Sequence, residues 1–188
     1  PRRHLRVSAM SACVRLVRHG EPAEAIGVDP GLSARGHDQA ALLARLSPAL
    51  LVSSPLRRAR ETAAPIEAAW SVAARVDSTY RELPSGHVDS GDRRAWLRVA
   101  LAGTFAELGD EQRAWRDAIV TAVRSCREDT VITTHAVVIN AVTGFSQGDD
   151  AVLSWLPAHA SVTEMRVDVD GTLTLVARGE RSPGGLVV

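Results

Sequence analysis

Three short apolar runs in this chain, each the length of a buried strand, stop directly at polar residues able to hold an anion. Residues 13–17 lead into Arg18 and His19, residues 50–53 lead to Ser54 with Arg57 and Arg58 just beyond, and residues 131–134 lead into His135. Between them lie segments with helical periodicity, and that alternation marks an α/β domain on a largely parallel sheet. In open sheets of this kind the ligand crevice lies outside the carboxyl ends of the strands. Three separate segments therefore deliver guanidinium and imidazole groups to one place, and helices that start there add backbone N–H groups that favour anions. The residues alone predict an anion site, with phosphate the best-fitting occupant.

The remaining pattern fills in the frame. Ser33 is placed to cap a helix whose face carries Gly36, Ala40, Leu43 and Ser47. Ser54 reads as the cap of a second helix, with Pro55 in its first position and Leu56, Ala59, Ala63, Ile66 and Trp70 as the buried stripe. A third short strand is expected over residues 72–76. The stretch 79–109 is irregular except for a helix over 93–101. A strong helix over 110–127 repeats Trp115, Ile119, Ala122 and Cys126 at helical spacing. Residues 131–134 feed a helix expected to end near Gly144. Segments 161–167 and 172–178 alternate around Asp170-Gly171 as a closing hairpin. The expected fold is three-layer α/β, with a central, mostly parallel mixed sheet flanked by helices. It forms one domain over residues 11–188, with residues 1–10 as a loose leader.

Composition removes several function classes. A chain of 188 residues with 45% hydrophobic and 23% charged residues suits one ordinary globular domain. A net charge of zero lacks the broad basic field of a nucleic-acid binder. No apolar run approaches the roughly 18 residues of a membrane span, and no secretion signal is visible behind Arg2 and Arg3. Every cation is Arg, which fits coding bias as well as bidentate phosphate binding. Cys13 and Cys126 stand far apart in apolar patterns and read as buried free thiols of a reducing, cytoplasmic compartment. The histidines show no metal-ligand spacing, so neither metal nor cofactor is expected. Trp70, Trp115 and Trp155 are assigned to the core, and a homodimer is left open.

Five blocks carry a resemblance. LVRHGEP (16–22), LSARGHDQA (32–40), SSPLRRARETA (53–63), YRELPSG (80–86) and TTHAVVI (133–139) are similar, in order, to the blocks of the histidine phosphatase (phosphoglycerate mutase-like) superfamily, and ASVTEM (160–165) resembles its late strand. A lone Arg-His-Gly would carry little weight; five ordered blocks carry much. The resemblance implies that His19 is the nucleophile that becomes phosphorylated. It implies further that Arg18, Arg58 and His135 form the phosphate pocket, and that Glu82 is the proton donor. Arg58 is selected over Arg57 and Arg60 because the family's Arg-Ala pair falls on Arg58-Ala59. Two departures stand out: Ala136 follows His135 where the family often has Gly, and residues 87–91 (HVDSG) replace its usual aromatic-acidic-glycine pattern.

The chemistry gives each role a reason. A neutral imidazole at a strand end can attack phosphorus in line and divide one hard step into two. Cationic donors stabilise charge on the equatorial oxygens, and a carboxylic acid can protonate the leaving alcohol. The expected activity is that of a metal-independent phosphoric monoester hydrolase acting on a small phosphorylated substrate. Glu21 and His87 are further candidates for substrate binding. Segment 83–109 is the expected specificity lid, with Asp89, Arg93, Arg94 and Trp96 as additional candidate contacts. By default His37, His87 and His159 are surface or helix histidines. Rival readings are a phosphoglycerate mutase-type phosphotransferase, a protein phosphatase and a non-catalytic phosphate-binding module. The short chain favours hydrolysis, because mutases use longer insertions to keep water from the phosphohistidine.

Overall fold

The computed structural model describes residues 11–24, 29–86 and 93–183. Six strands form one sheet: β1 (Ala12–Arg18), β2 (Leu50–Ser53), β3 (Arg75–Val76), β4 (Thr130–Thr134), β5 (Val162–Val167) and β6 (Leu173–Ala177). Their order is β3-β2-β4-β1-β5-β6. The first four are mutually parallel, β5 is antiparallel to β1, and β6 is antiparallel to β5. Around the sheet lie α1 (Ala34–Ala41), α2 (Arg57–Trp70), α3 (Arg93–Ala102), α4 (Asp110–Arg124) and α5 (Ala136–Gln147). The expected mixed, helix-flanked sheet is the observed one.

Side chains alternate across each strand, so the sheet buries two separate faces. Val14, Leu16, Val52, Ile132 and Met165 pack against Ile119 and Val123 of α4 and Val138, Ile139 and Val142 of α5. On the opposite face Val17, Leu51 and Val131 pack against Ala63 and Ile66 of α2 and against Leu43 just after α1. Full burial of each large aliphatic side chain stabilises the fold by about 1.5–3 kcal/mol. All five residues of β4 are buried, as expected of a central parallel strand covered on both faces.

Helix α5 is buried over residues 137–144 without interruption. Its residues divide between two partners. Val138 and Val142, one turn apart, face the sheet. Val137 and Ala141 instead join Leu83, Ala100, Phe105 and Val152 in a second small core. The expected lid segment 83–109 therefore has an apolar base of its own on the outer side of α5.

Four boundaries differ by more than one residue from the sequence reading, the first three for a local reason. Helix α2 begins at Arg57, not at Pro55, and its first amide is capped from a distance: Arg57 N–H donates to both carboxylate oxygens of Asp29 at 3.0 Å. Ser54 is engaged elsewhere, as described below. Strand β3 shrinks to two residues because the amides of Val72 and Ala74 both donate to Glu67, to its backbone carbonyl and its Oε1 respectively. Helix α5 passes Gly144 and stops at Gly148, which adopts φ +68°. Gly144 is small for another reason, since a Cβ there would lie 2.5 Å from the Asp149 carbonyl oxygen. Helix α4 also stops short of 127, at Arg124. Cys13 and Cys126 are free thiols but only half-buried, and burial raises both above the usual thiol range. Trp155 is buried as expected, whereas Trp70 and Trp115 are half-buried. No described helix is long and apolar enough to cross a membrane. The expected leader, residues 1–10, lies outside the described residues.

Candidate active site

Strands β2, β4 and β1 are neighbours, so their carboxyl ends bring Ser54, His135 and His19 to one edge of the sheet. His19 is 5% exposed and follows β1 directly. Its main-chain N–H continues the strand pairing by donating to the Thr134 carbonyl at 2.9 Å. Its ring Nδ1 lies 2.7 Å from the Gly20 carbonyl oxygen. A carbonyl can only accept, so Nδ1 carries the proton and Nε2 is left with the lone pair. The turn after His19 is tightly held. Gly20 N–H donates to Thr62 Oγ1 at 2.9 Å, and that hydroxyl donates to the Arg58 carbonyl at 2.7 Å. A Cβ on Gly20 would lie 2.6 Å from the Gly36 carbonyl oxygen. Only glycine permits this approach of the His19 turn to α1.

His135 is fully buried and sits where β4 passes into α5. Its Nε2 is 2.8 Å from Ser54 Oγ. The Leu56 amide donates to the same oxygen at 3.4 Å, and the Glu82 carboxylate facing the other ring nitrogen favours the tautomer in which the Ser54 hydroxyl donates to His135 Nε2. The neutral ring then carries its own proton on Nδ1. That nitrogen is buried without a hydrogen-bond partner among the described residues, with the Glu82 carboxylate 3.6 Å away. Ser54 is thus a positioning group for His135, which is why it does not cap α2.

Arg18 and Arg58 complete the set. Arg18 Nη1 donates to the Pro157 carbonyl at 2.5 Å, and its Nε is buried without a partner among the described residues. Burial lowers Arg18 to about 10, so it remains a cation at neutral pH. Arg58 Nη2 lies 3.8 Å from Glu82 Oε2, and its Nη1 lies 3.9 Å from Asp29 Oδ1. Glu82 is held on the segment after Tyr80, whose carbonyl accepts from Thr134 Oγ1 at 2.9 Å. Burial, reinforced by the neighbouring His135, Arg58 and Arg18, pushes His19 well below the usual histidine range, against the opposing bond to Gly20. Burial and the cations Arg58, Arg18 and Arg81 do the same to His135. Both imidazoles are therefore neutral near pH 7.

The structure brings together Arg18, His19, Arg58, Glu82 and His135, the five core positions named from sequence. Glu21 stands apart from them. Its carboxylate accepts from Ser33 Oγ at 3.0 Å and pairs with Arg35 at 3.6 Å. It lines a groove with Gln39 and His159. His87 and Asp89 lie outside the described residues, as do the side chains of Arg93 and Arg94. Trp96 packs on the Leu83–Phe105 core. His37 is exposed on α1, as expected.

His159, read as a surface or helix histidine, corrects the sequence reading. Its ring centroid is 5.7 Å from that of His19, and burial lowers it to about 4. Asn140 was also missed; it is 1% exposed. Its Oδ1 accepts from the amides of Ser154 and Trp155 at 3.0 and 3.2 Å, and its Nδ2 donates to the Trp155 carbonyl at 2.9 Å. It anchors the loop whose Pro157 carbonyl holds Arg18. Among the described residues, no group of three or more His, Cys, Asp or Glu could hold a metal.

Fold and site together define an α/β protein with a buried neutral imidazole at a strand end. The chain belongs to the histidine phosphatase superfamily (branch 1), whose model matches residues 14–178. Solved structures agree in fold. Bacillus stearothermophilus YhfR superposes with a TM-score of 0.73 at 22% identity, covering 91% of this chain and 98% of that one. A mycobacterial glucosyl-3-phosphoglycerate phosphatase complexed with inorganic phosphate gives a TM-score of 0.65 at 23% identity, over 90% of this chain and 98% of that one. The same phosphatase in complex with VO3 gives 0.60 at 25% identity, over 82% and 92%. No curated protein sequence gives a significant match.

Proposed function

We propose that this protein is a phosphatase that hydrolyses a small phosphate monoester through a phosphohistidine on His19. The observation that carries the reading is the locked tautomer of His19. Its Nδ1 proton is committed to the Gly20 carbonyl, so Nε2 is a ready nucleophile among the donors of Arg18, Arg58 and His135. The buried Nδ1 of His135 and Nε of Arg18 each lack a protein partner among the described residues. A buried polar atom left unpaired costs about 1–3 kcal/mol. Two such donors around one nucleophile are explained by an anion that bonds them both.

In the first step Nε2 attacks phosphorus, the N–P bond forms and the P–O bond to the leaving group breaks. Arg18, Arg58 and His135 stabilise charge on the equatorial oxygens, the task a metal ion performs in other phosphoryl-transfer sites. Glu82, in its acid form in the substrate complex, protonates the leaving oxygen. In the second step the Glu82 carboxylate takes a proton from water, the oxygen attacks phosphorus, and phosphate leaves with the ring neutral again. Membership of the superfamily and the phosphatase among its structural neighbours support a hydrolase.

The test is phosphate release from a panel of phosphate monoesters in the presence of a chelator, by wild type and by His19→Ala. Release by wild type alone supports the reading. Release undiminished in His19→Ala, or isomerised product without free phosphate, sinks it.

A further inference from the structure

The active-site edge of the sheet carries three imidazoles in a row, not two. His135 precedes α5 at the end of β4, His19 follows β1, and His159 lies just before β5. The centroids of His135 and His19 are 5.3 Å apart, and those of His19 and His159 are 5.7 Å apart. These separations follow the spacing of adjacent strands, about 4.8 Å. Glu82 stands at the His135 end. At the His159 end the ring borders a groove lined by Glu21, Arg35, Gln39 and Arg178.

His159 is held in place by its backbone. Its neighbour Ala160 adopts φ +55°, a conformation costly for a residue with a Cβ. The Ala160 amide donates to the Arg18 carbonyl at 3.0 Å and approaches the His19 carbonyl at 3.4 Å. Arg18 Nη1 in turn donates to the Pro157 carbonyl. Residues 157–160 are thus strapped to the strand end that bears the nucleophile.

We propose that His159 is a third imidazole of the phosphate site, donating its ring N–H to a non-bridging oxygen of the bound phosphoryl group. The inference rests on the phosphatase reading and extends it. In-line transfer puts the leaving oxygen opposite His19 Nε2, so a ring beside His19 meets an equatorial oxygen. Burial keeps His159 neutral at working pH, so it offers one N–H rather than a charge.

The experiment measures binding of inorganic phosphate and of vanadate, and kcat/KM for a monoester, in wild type, His159→Phe and His159→Asn. Phe keeps the ring without the donor, and Asn keeps a donor without the ring. The Phe variant should bind both anions roughly 10- to 100-fold more weakly and lose kcat/KM in the same range, with Asn within a few-fold of wild type. His159→Gln replaces Asn if that variant fails to fold. Anion binding by the Phe variant within twofold of wild type overturns the proposal, as does equal loss in Phe, Asn and Gln, which would mean that an N–H donor is not what position 159 supplies. Because anion binding is read without turnover, an inactive wild type that still binds phosphate less well as His159→Phe would remove the phosphatase reading and leave His159 in the site.

Discussion

Replacing Asn140 with Ala should destabilise the protein by about 3–5 kcal/mol and weaken catalysis through Arg18. The side chain is 1% exposed and spans from α5 to the loop at residues 154–155. Truncation strands two groups of the buried Trp155: its N–H, which donates to Oδ1 at 3.2 Å, and its carbonyl, which accepts from Nδ2 at 2.9 Å. Each buried group left unpaired costs about 1–3 kcal/mol, so the pair costs about 4. The Ser154 amide belongs to an exposed residue and can rehydrate, which adds well under 1 kcal/mol. Small domains have about 5–15 kcal/mol to lose, so the variant should still fold. Urea unfolding should show a lower midpoint at unchanged slope. In the same preparation KM should rise, because the loop carries the Pro157 carbonyl that orients Arg18. A loss below about 1 kcal/mol would refute the argument, since it would mean that water or a backbone shift satisfies Trp155 as well as Asn140 does.

Two further predictions concern protons. Glu82→Gln should slow phosphohistidine formation from alkyl phosphates by about a hundredfold or more, yet barely slow the first-turnover release of p-nitrophenol from p-nitrophenyl phosphate, whose leaving group departs without protonation. Equal slowing of both would remove Glu82 as proton donor. His19, His135 and His159 all sit below their ordinary value, His159 at about 4, in each case chiefly through burial. Unfolding therefore takes up protons below pH 6.5, so stability should be level above that pH. It should fall as pH drops through 6 and 5, each ring adding a slope of up to about 1.4 kcal/mol per pH unit. A urea midpoint that stays constant between pH 7 and 5 would contradict this.

Much of the site was legible because its residues are set locally. Arg18, His19 and His135 terminate apolar strands, and the sheet order alone brings such ends together. His159 was not legible, because its place depends on a pairing 145 residues apart. The antiparallel register sets Val17 opposite Val162, so the residues just before β5 fall beside those just after β1. The late-strand block at 160–165 was recognised, and extending that pairing by three residues was the available signal. Ser54 misled in the opposite sense. Its type and position suit a helix cap, but a buried imidazole takes its hydroxyl while Asp29 caps α2 from another loop. Asn140 gave no signal at all, since a polar residue in an apolar helix reveals its partners only after the loop at 154–157 has folded over it.

The most direct test of the central claim is to trap the intermediate. Wild-type protein is mixed with a phosphate monoester, quenched in alkali, where phosphohistidine survives, and mapped by peptide mass spectrometry. The account predicts a phosphoryl group on His19, absent from His19→Ala and accumulating when the second step is slowed in Glu82→Gln with p-nitrophenyl phosphate. Steady phosphate release with no phosphoryl group on His19, in wild type and Glu82→Gln alike, would contradict it.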